Sequence, residues 1–76
     1  MTREDIEYYE GMFSIFSEAA WREFIEEKRN SIEVLKNTLV DERDSVMIYR
    51  TQGRIDELNL LVNLEQTMRD IYDASV

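Results

Sequence analysis

Carboxylates are the side chains of this chain whose type and spacing could build a chemical site. Two groups recur on neighbouring turns of a helix: Glu4, Glu7 and Glu10, and then Glu23, Glu26 and Glu27. Helical bundles hold carboxylate-bridged metal ions with this spacing, and they complete the ligand set with His. The chain contains no His and no Cys. We therefore expect solvated carboxylate faces, with no metal ion, no cofactor and no disulfide.

The residue types present also disfavour catalysis. Without His and Cys the chain lacks the commonest general base and the thiol nucleophile. No activating partner is identifiable for Ser14, Ser17, Ser31 or Ser45. No Gly-rich loop could cradle a phosphate. We therefore expect a non-enzymatic protein that has no small-molecule substrate.

The net charge of −8 narrows the class of partner. It repels phosphate backbones and anionic lipid, so we expect no direct binding to nucleic acid or to membranes. No uncharged apolar run approaches the roughly 18 residues of a spanning helix. The first ten residues are acidic where a signal peptide is basic. We expect a soluble, unprocessed chain that forms one helical domain over residues 1–76.

Helices must position all of these side chains, because the chain has no Pro and only two Gly. The spacing of apolar residues predicts a short first helix over residues 3–16, capped by Thr2. Ser17 is the predicted N-cap of a second helix, and a third helix is predicted from about Asp44 to Ala74. We expect an all-α fold in which the second and third helices form a long antiparallel hairpin. The short N-terminal helix packs on that hairpin.

The second helix carries one apolar seam with alternating steps of four and three residues. The seam contains Trp21, Ile25, Lys28, Ile32, Leu35 and Leu39, and Phe24 widens it. This spacing is typical of a helix packed along a partner helix. Lys28 is the one charged member, and we expect its stem to lie on apolar surface while its ammonium reaches solvent.

The third helix carries two apolar stripes and must therefore pack against two neighbouring helices. The first stripe contains Ile48, Thr51, Ile55, Leu58 and Val62. The second contains Val46, Gly53, Leu60, Leu64 and Ile71, and Leu61 adds apolar surface beside them. No segment of the same chain remains to cover Val46, Tyr49, Gly53 and Leu60. We therefore expect a homo-oligomer, most simply a closed two-fold pair.

Two further residues are candidate contact sites. Gly53 lies in mid-helix, where a missing side chain favours the close approach of a second helix, or else a kink. Tyr8 lies beside Tyr9 and cannot share its face of the first helix, so we expect it to contact a partner.

Two motifs resemble those of small helical proteins encoded by tailed bacteriophages. They are Trp21-x-x-Phe24-Ile25, and Tyr49-x-x-x-Gly53-Arg54-Ile55-Asp56-x-Leu58-x-x-Leu61 in the next helix. In that group a Trp-led helix precedes a helix with a Gly-x-(Ile/Leu)-Asp-x-Leu core, often near portal and packaging genes. Many members have a Pro that ends the second of these helices, whereas Asn63-Leu64-Glu65 is expected to continue it here. The resemblance covers about residues 12–72 and implies a phage context.

The resemblance and the apolar faces together predict a virion-associated or assembly-accessory protein. It would contact itself and a larger particle protein, in the host cytoplasm during infection or in the virion. The alternative is an acidic inhibitor that mimics nucleic acid and blocks a host nucleic-acid-binding enzyme. Basic residues interspersed through both halves of the chain weigh against mimicry.

Overall fold

Two pairs of helices make up the protein. The computed structural model describes residues 1–76, which form α1 (Arg3–Phe16), α2 (Ala19–Asp41), α3 (Ser45–Val62) and α4 (Leu64–Ser75). There is no strand, which confirms the predicted all-α class. α2 packs against α3 and α1 against α4, whereas α1 does not approach α3 and α2 does not approach α4. The two pairs therefore meet at their ends and do not form a four-helix bundle.

α1 begins where the sequence predicts. The Thr2 hydroxyl accepts a hydrogen bond from the Asp5 N–H, and the Asp5 carboxylate accepts one from the Thr2 N–H, each 3.1 Å long. This reciprocal pair satisfies two backbone donors that a helix start leaves free. The hydrogen bond that the Thr2 N–H donates to the carboxylate, and then hydrogen bonding by the Thr2 side chain, lower the pKa of the Asp5 carboxyl below its ordinary value.

Ser17 closes α1 and does not open α2, so its prediction as the second N-cap is wrong. Its hydroxyl donates to the Ser14 carbonyl over 2.8 Å, and its backbone N–H also turns back into α1. Glu18 then takes the N-cap position of α2 without a side-chain hydrogen bond. A serine hydroxyl can hydrogen-bond the free backbone groups at either end of a helix. Ser17 satisfies a free carbonyl at the end of α1.

The turn between α2 and α3 is held by two carboxylates. The Glu42 carboxylate accepts hydrogen bonds of 3.0 Å from the N–H groups of Arg43 and Asp44. The Asp44 carboxylate then caps α3 by accepting from Val46 and Met47. The acidic residues of this turn therefore supply its hydrogen bonds.

The predicted continuous third helix is wrong, because it breaks at Asn63 into α3 and α4. Asn63 has φ −93° and ψ 2°, and the ψ angle is far from the helical value of about −42°. Helical hydrogen bonds reach Asn63 from either side, since its N–H donates to the Asn59 carbonyl of α3 and its own carbonyl accepts from the Thr67 N–H of α4. The helix is therefore interrupted at this single residue, which has low helix propensity.

The core is small, and Phe16 is its centre. Phe16 is 0% exposed and lies 5.1 Å from the Trp21 ring, where the two helix pairs meet. The other buried residues are Ile25, Ile32, Thr51, Ile55 and Met68. The radius of gyration is 16.2 Å, against about 11 Å for a compact chain of this length. Much of each helix therefore faces solvent.

An aromatic cluster joins α1 to α4. The Tyr72 ring lies 5.3 Å from Phe13 and 6.3 Å from Tyr9, and the Arg69 guanidinium lies 4.7 Å over the Phe13 ring. The Tyr72 hydroxyl donates a hydrogen bond of 3.4 Å to the Glu10 carboxylate. Partial burial, and then the negative charge of Glu10, raise the pKa of the Tyr72 phenol above its ordinary value.

We expect alkaline pH to weaken the α1–α4 contact through Tyr72. A phenol whose pKa is raised by folding stabilises the fold fully below its unfolded pKa of about 10. That contribution is lost as the pH rises through the higher folded pKa. Urea unfolding of the wild type and of Tyr72→Phe between about pH 9 and pH 11 measures it, because the two proteins differ only in this phenol. Parallel pH profiles for the two proteins would contradict this role of Tyr72.

We expect Phe16→Ala to remove most of the stability of the fold. Truncating a fully buried Phe costs about 3–5 kcal/mol, whereas a chain of this length has about 4–11 kcal/mol in all. Phe24→Ala is the matched control, because Phe24 is 38% exposed and should lose no more than about half as much. Denaturant melts of the two variants give the comparison. Equal losses would mean that Phe16 is not the centre of the core.

Candidate interaction surface

The predicted site residues divide into two groups by exposure. Trp21, Ile55, Leu58, Leu61 and Leu64 are buried or half-buried. They hold the helices together and are not available to a partner. The exposed members are Tyr8, Phe24, Tyr49, Gly53 and Leu60. An interaction surface must therefore be built from the second group.

The predicted seam of α2 lies along α3, and its one charged residue has an aromatic neighbour. Every seam residue from Trp21 to Leu39 is buried or half-buried. The Lys28 ammonium makes no ion pair within the chain and lies 4.9 Å from the centroid of the Phe24 ring. Phe24 in turn lies 5.8 Å from Trp21. Phe24 therefore covers the Lys28 stem and does not stand free in solvent.

The exposed apolar residues of α3 share one face, which points away from α2. Gly53 lies two positions from both Thr51 and Ile55, which are buried, so it is about 160° from each around the helix. We define the α3 outer face by the exposed residues at helical spacing on this side: Val46, Tyr49, Arg50, Gly53, Asp56, Glu57 and Leu60. The exposed fractions are 53% for Val46, 73% for Tyr49 and 69% for Leu60. This face is the apolar surface that the chain itself leaves uncovered.

The predicted close crossing at Gly53 is wrong within this chain. A Cβ atom added to Gly53 would meet no other atom within 4 Å. α3 is also unbroken around Gly53, and the predicted third helix is interrupted at Asn63 instead. The missing side chain leaves a shallow depression, lined by Arg50, Gly53, Arg54, Glu57 and Leu58.

Charged residues border this depression, and sequence reasoning missed them. Arg50, Asp56 and Glu57 belong to the α3 outer face, and none of them forms an ion pair within the chain. The four ion pairs of the protein lie on the other helices, as in Glu26 with Arg29 and Glu65 with Arg69. These charged residues could have been found from the sequence, because they lie at helical spacing on either side of Gly53.

Tyr8 does not join this surface. It is 60% exposed on α1 and makes an edge-to-face contact with Tyr9 at 5.9 Å. Because α1 does not approach α3, Tyr8 and the α3 outer face are separate features. Tyr8 stays a predicted contact residue, independent of the others.

A second concave feature lies where the two helix pairs meet. This cleft is lined by Phe16, Trp21, Arg22, Ile25, Glu26, Arg29, Val62, Asn63, Glu65 and Gln66. Its acids and bases are equal in number, and Arg29 already pairs with Glu26 over 3.5 Å. No buried polar side-chain atom of the protein lacks a hydrogen-bond partner. The cleft therefore favours no ligand of one charge sign.

The carboxylate groups singled out in the sequence stay apart in space. No three acidic side chains come close enough to hold a metal ion together. None of the four helices is both long enough and apolar enough to cross a bilayer.

Comparison with known proteins finds no match, either to a protein-family model, to a curated protein or to a solved structure.

We expect Gly53→Ala to stabilise the isolated chain, because the new methyl group has open space around it. Replacing Gly by Ala inside a helix contributes about 0.5–1 kcal/mol. Gly11→Ala is the matched control, since Gly11 also lies inside a helix with no atom within 4 Å of an added Cβ. Urea unfolding at submicromolar concentration measures both variants free of association. A loss of stability at Gly53 alone would mean that another part of the chain packs there.

Proposed function

We propose that this protein is a non-enzymatic interaction module of a tailed bacteriophage, which acts in particle assembly or as a virion-associated component. One observation carries the proposal: Val46, Tyr49 and Leu60 lie more than half exposed along one face of α3. An apolar row of this length on an acidic, soluble chain is typical of a protein–protein contact surface. The partner is a second copy of the chain, a larger particle protein, or both.

The proposed working unit is an antiparallel hairpin of α2 and α3, with α1 packed on the segment beyond it. The three-residue turn Glu42–Asp44 supports this arrangement, because so short a connection forces packed helices to run in opposite directions. Lys28 and Leu58 also line one depression, at matching distances from that turn. In this unit α2 covers the inner face of α3, and the outer face is left for a partner.

The phage context rests on the resemblance of the Trp21 and Gly53 motifs to small phage-encoded helical proteins. That resemblance also gives the proposed location, which is the host cytoplasm during infection or the virion. The acidic net charge suits a partner with a basic patch, and it disfavours direct contact with packaged DNA. The module therefore acts on other proteins.

A rival function has an observation of its own. The side of α2 that points away from α3 carries Glu23, Glu26, Glu27, Glu33 and Asp41 at helical spacing. Such a row could imitate a phosphate backbone and block a host nucleic-acid-binding enzyme. Arg29 and Lys36 neutralise two of these acids, at 3.5 Å from Glu26 and 3.7 Å from Glu33. The remaining charge is modest, so we place this function second.

Mass analysis of particles purified from an infection tests the choice between the two functions. An assembly component should be present at a defined copy number. We expect the double variant Tyr49→Ser/Leu60→Ser to be depleted from particles, because it removes the two most exposed apolar side chains of the α3 outer face.

Val34→Ser is the matched control, because Val34 is 64% exposed on the opposite side of the hairpin. It should enter particles as the wild type does. If the wild-type protein is missing from particles and from their precursors, and instead copurifies with a host nucleic-acid enzyme, the inhibitor function replaces the assembly function.

A further inference from the structure

The α3 outer face is symmetric in sequence about Gly53. Val46 and Leu60 lie seven positions from Gly53 on either side, and both are apolar and exposed. Arg50 and Glu57 lie three and four positions from Gly53 on either side, share one flank of the face and have opposite charges. When two identical helices pair in opposite directions about a two-fold axis, residues on the same flank meet if they lie at similar distances on opposite sides of the axis. An axis through Gly53 therefore brings Val46 beside Leu60 and Arg50 beside Glu57 of the other copy, each twice.

Gly53 suits the position on that axis. The closest approach of two helices falls where their axes cross, and the side chains at that point set the separation. Gly53 has no side chain, and a shallow depression surrounds it. The backbone of a second helix can therefore come close to α3 at this residue, and the Tyr49 rings gain room beside the glycines. The crossing that is absent within the chain has space to form between two chains.

The charges of the α3 outer face favour contact with a second copy more than the charges on the rest of the surface do. Two copies that each carry a net charge of −8 repel one another over most of their surface. On the α3 outer face Arg50 offsets one of the two acids, and it has no ion-pair partner within its own chain. In the symmetric pair Arg50 meets Glu57 of the other copy. The opposite side of α2 presents acids that would face like charges.

We infer that two copies of the chain associate through the α3 outer face as an antiparallel dimer with its two-fold axis at Gly53. The inference deepens the proposed function, because it names the occupant and register of the same surface. From Val46 to Leu60 the face is about 21 Å long, so the contact is at the small end of specific interfaces. The dimer is therefore a weak one, which dissociates on dilution and in high salt.

Sedimentation equilibrium of the full chain over micromolar to millimolar concentrations tests this dimer by charge exchange. The wild type should move from 9.1 kDa toward twice that mass as the concentration rises. Arg50→Glu and Glu57→Arg each place like charges opposite one another twice, and each should weaken association by at least about tenfold. The double variant Arg50→Glu/Glu57→Arg restores both pairs. Its dissociation constant should return to within a few fold of the wild-type value.

This rescue can only occur between chains. Arg50 and Glu57 are seven positions apart, about 10 Å along the helix axis, so they cannot pair within one helix. Glu27→Arg on the outer side of α2 is the matched control for reversing one charge, and it should not weaken association. Circular dichroism confirms that each variant keeps its helices. A folded double variant that stays as weak as the single variants overturns the proposed register.

Cysteine cross-linking gives a second readout of the register, because the chain has no Cys of its own. Gly53→Cys should form a disulfide with itself, since both copies place this residue on the axis. Val46→Cys and Leu60→Cys should each fail to link alone, because copies of one residue lie about 21 Å apart along the paired helices. A mixture of the two should link. Self-linking of Val46→Cys would indicate parallel pairing and overturn the proposal.

Different results would contradict the dimer and the proposed function. A chain that remains a folded monomer of 9.1 kDa at millimolar concentration overturns the dimer. If Tyr49→Ser/Leu60→Ser is still depleted from particles in that case, the surface serves a particle protein and the assembly function stands. If the dimer forms but wild-type particles contain none of the protein, the assembly function fails and the dimer stands.

Discussion

Each helix of this protein packs along one main neighbour, and the rest of the structure follows from that constraint. A helix that packs along a single partner can bury only one stripe of its surface. Six residues are buried, and Phe16 alone is fully enclosed, where the end of α1 meets the start of α2. The remaining apolar side chains stay in contact with water. The exposed face of α3 is therefore a direct result of the way the helices pair.

The buried faces could be predicted from the sequence, because helical spacing determines them. The seam of α2 and the first stripe of α3 both lie at the interface of these two helices. Side chains on one stripe share one neighbour whatever the length of the helix, so spacing carries the information. Apolar spacing does not mark helix ends in the same way. Ser17 and Asn63 were both assigned wrongly for this reason.

Asn63 and Gly53 illustrate what the spacing cannot tell. Asn63 ends α3 with a rotated ψ angle, and the helix propensity of Asn is not low enough, compared with that of Gly or Pro, to mark a break in the sequence. A glycine in the middle of a helix, as at Gly53, indicated that the absence of a side chain has a structural reason at this position. The sequence could not say whether the open space faced the same chain or another one. Only the position of α2 on the opposite side of α3 answers that question for this chain.

The same pairing of helices sets an order for folding. α2 and α3 are joined by three residues, whereas α1 and α4 are separated by the whole α2–α3 pair. Closing the longer loop from the unfolded chain costs roughly 2 kcal/mol more in entropy. Once α2 and α3 have paired, the ends of α1 and α4 are already near each other and that extra cost disappears. The α2–α3 pair is thus the part that can form first, and we expect the aromatic contacts of Tyr72 and Phe13 to form last and to open first.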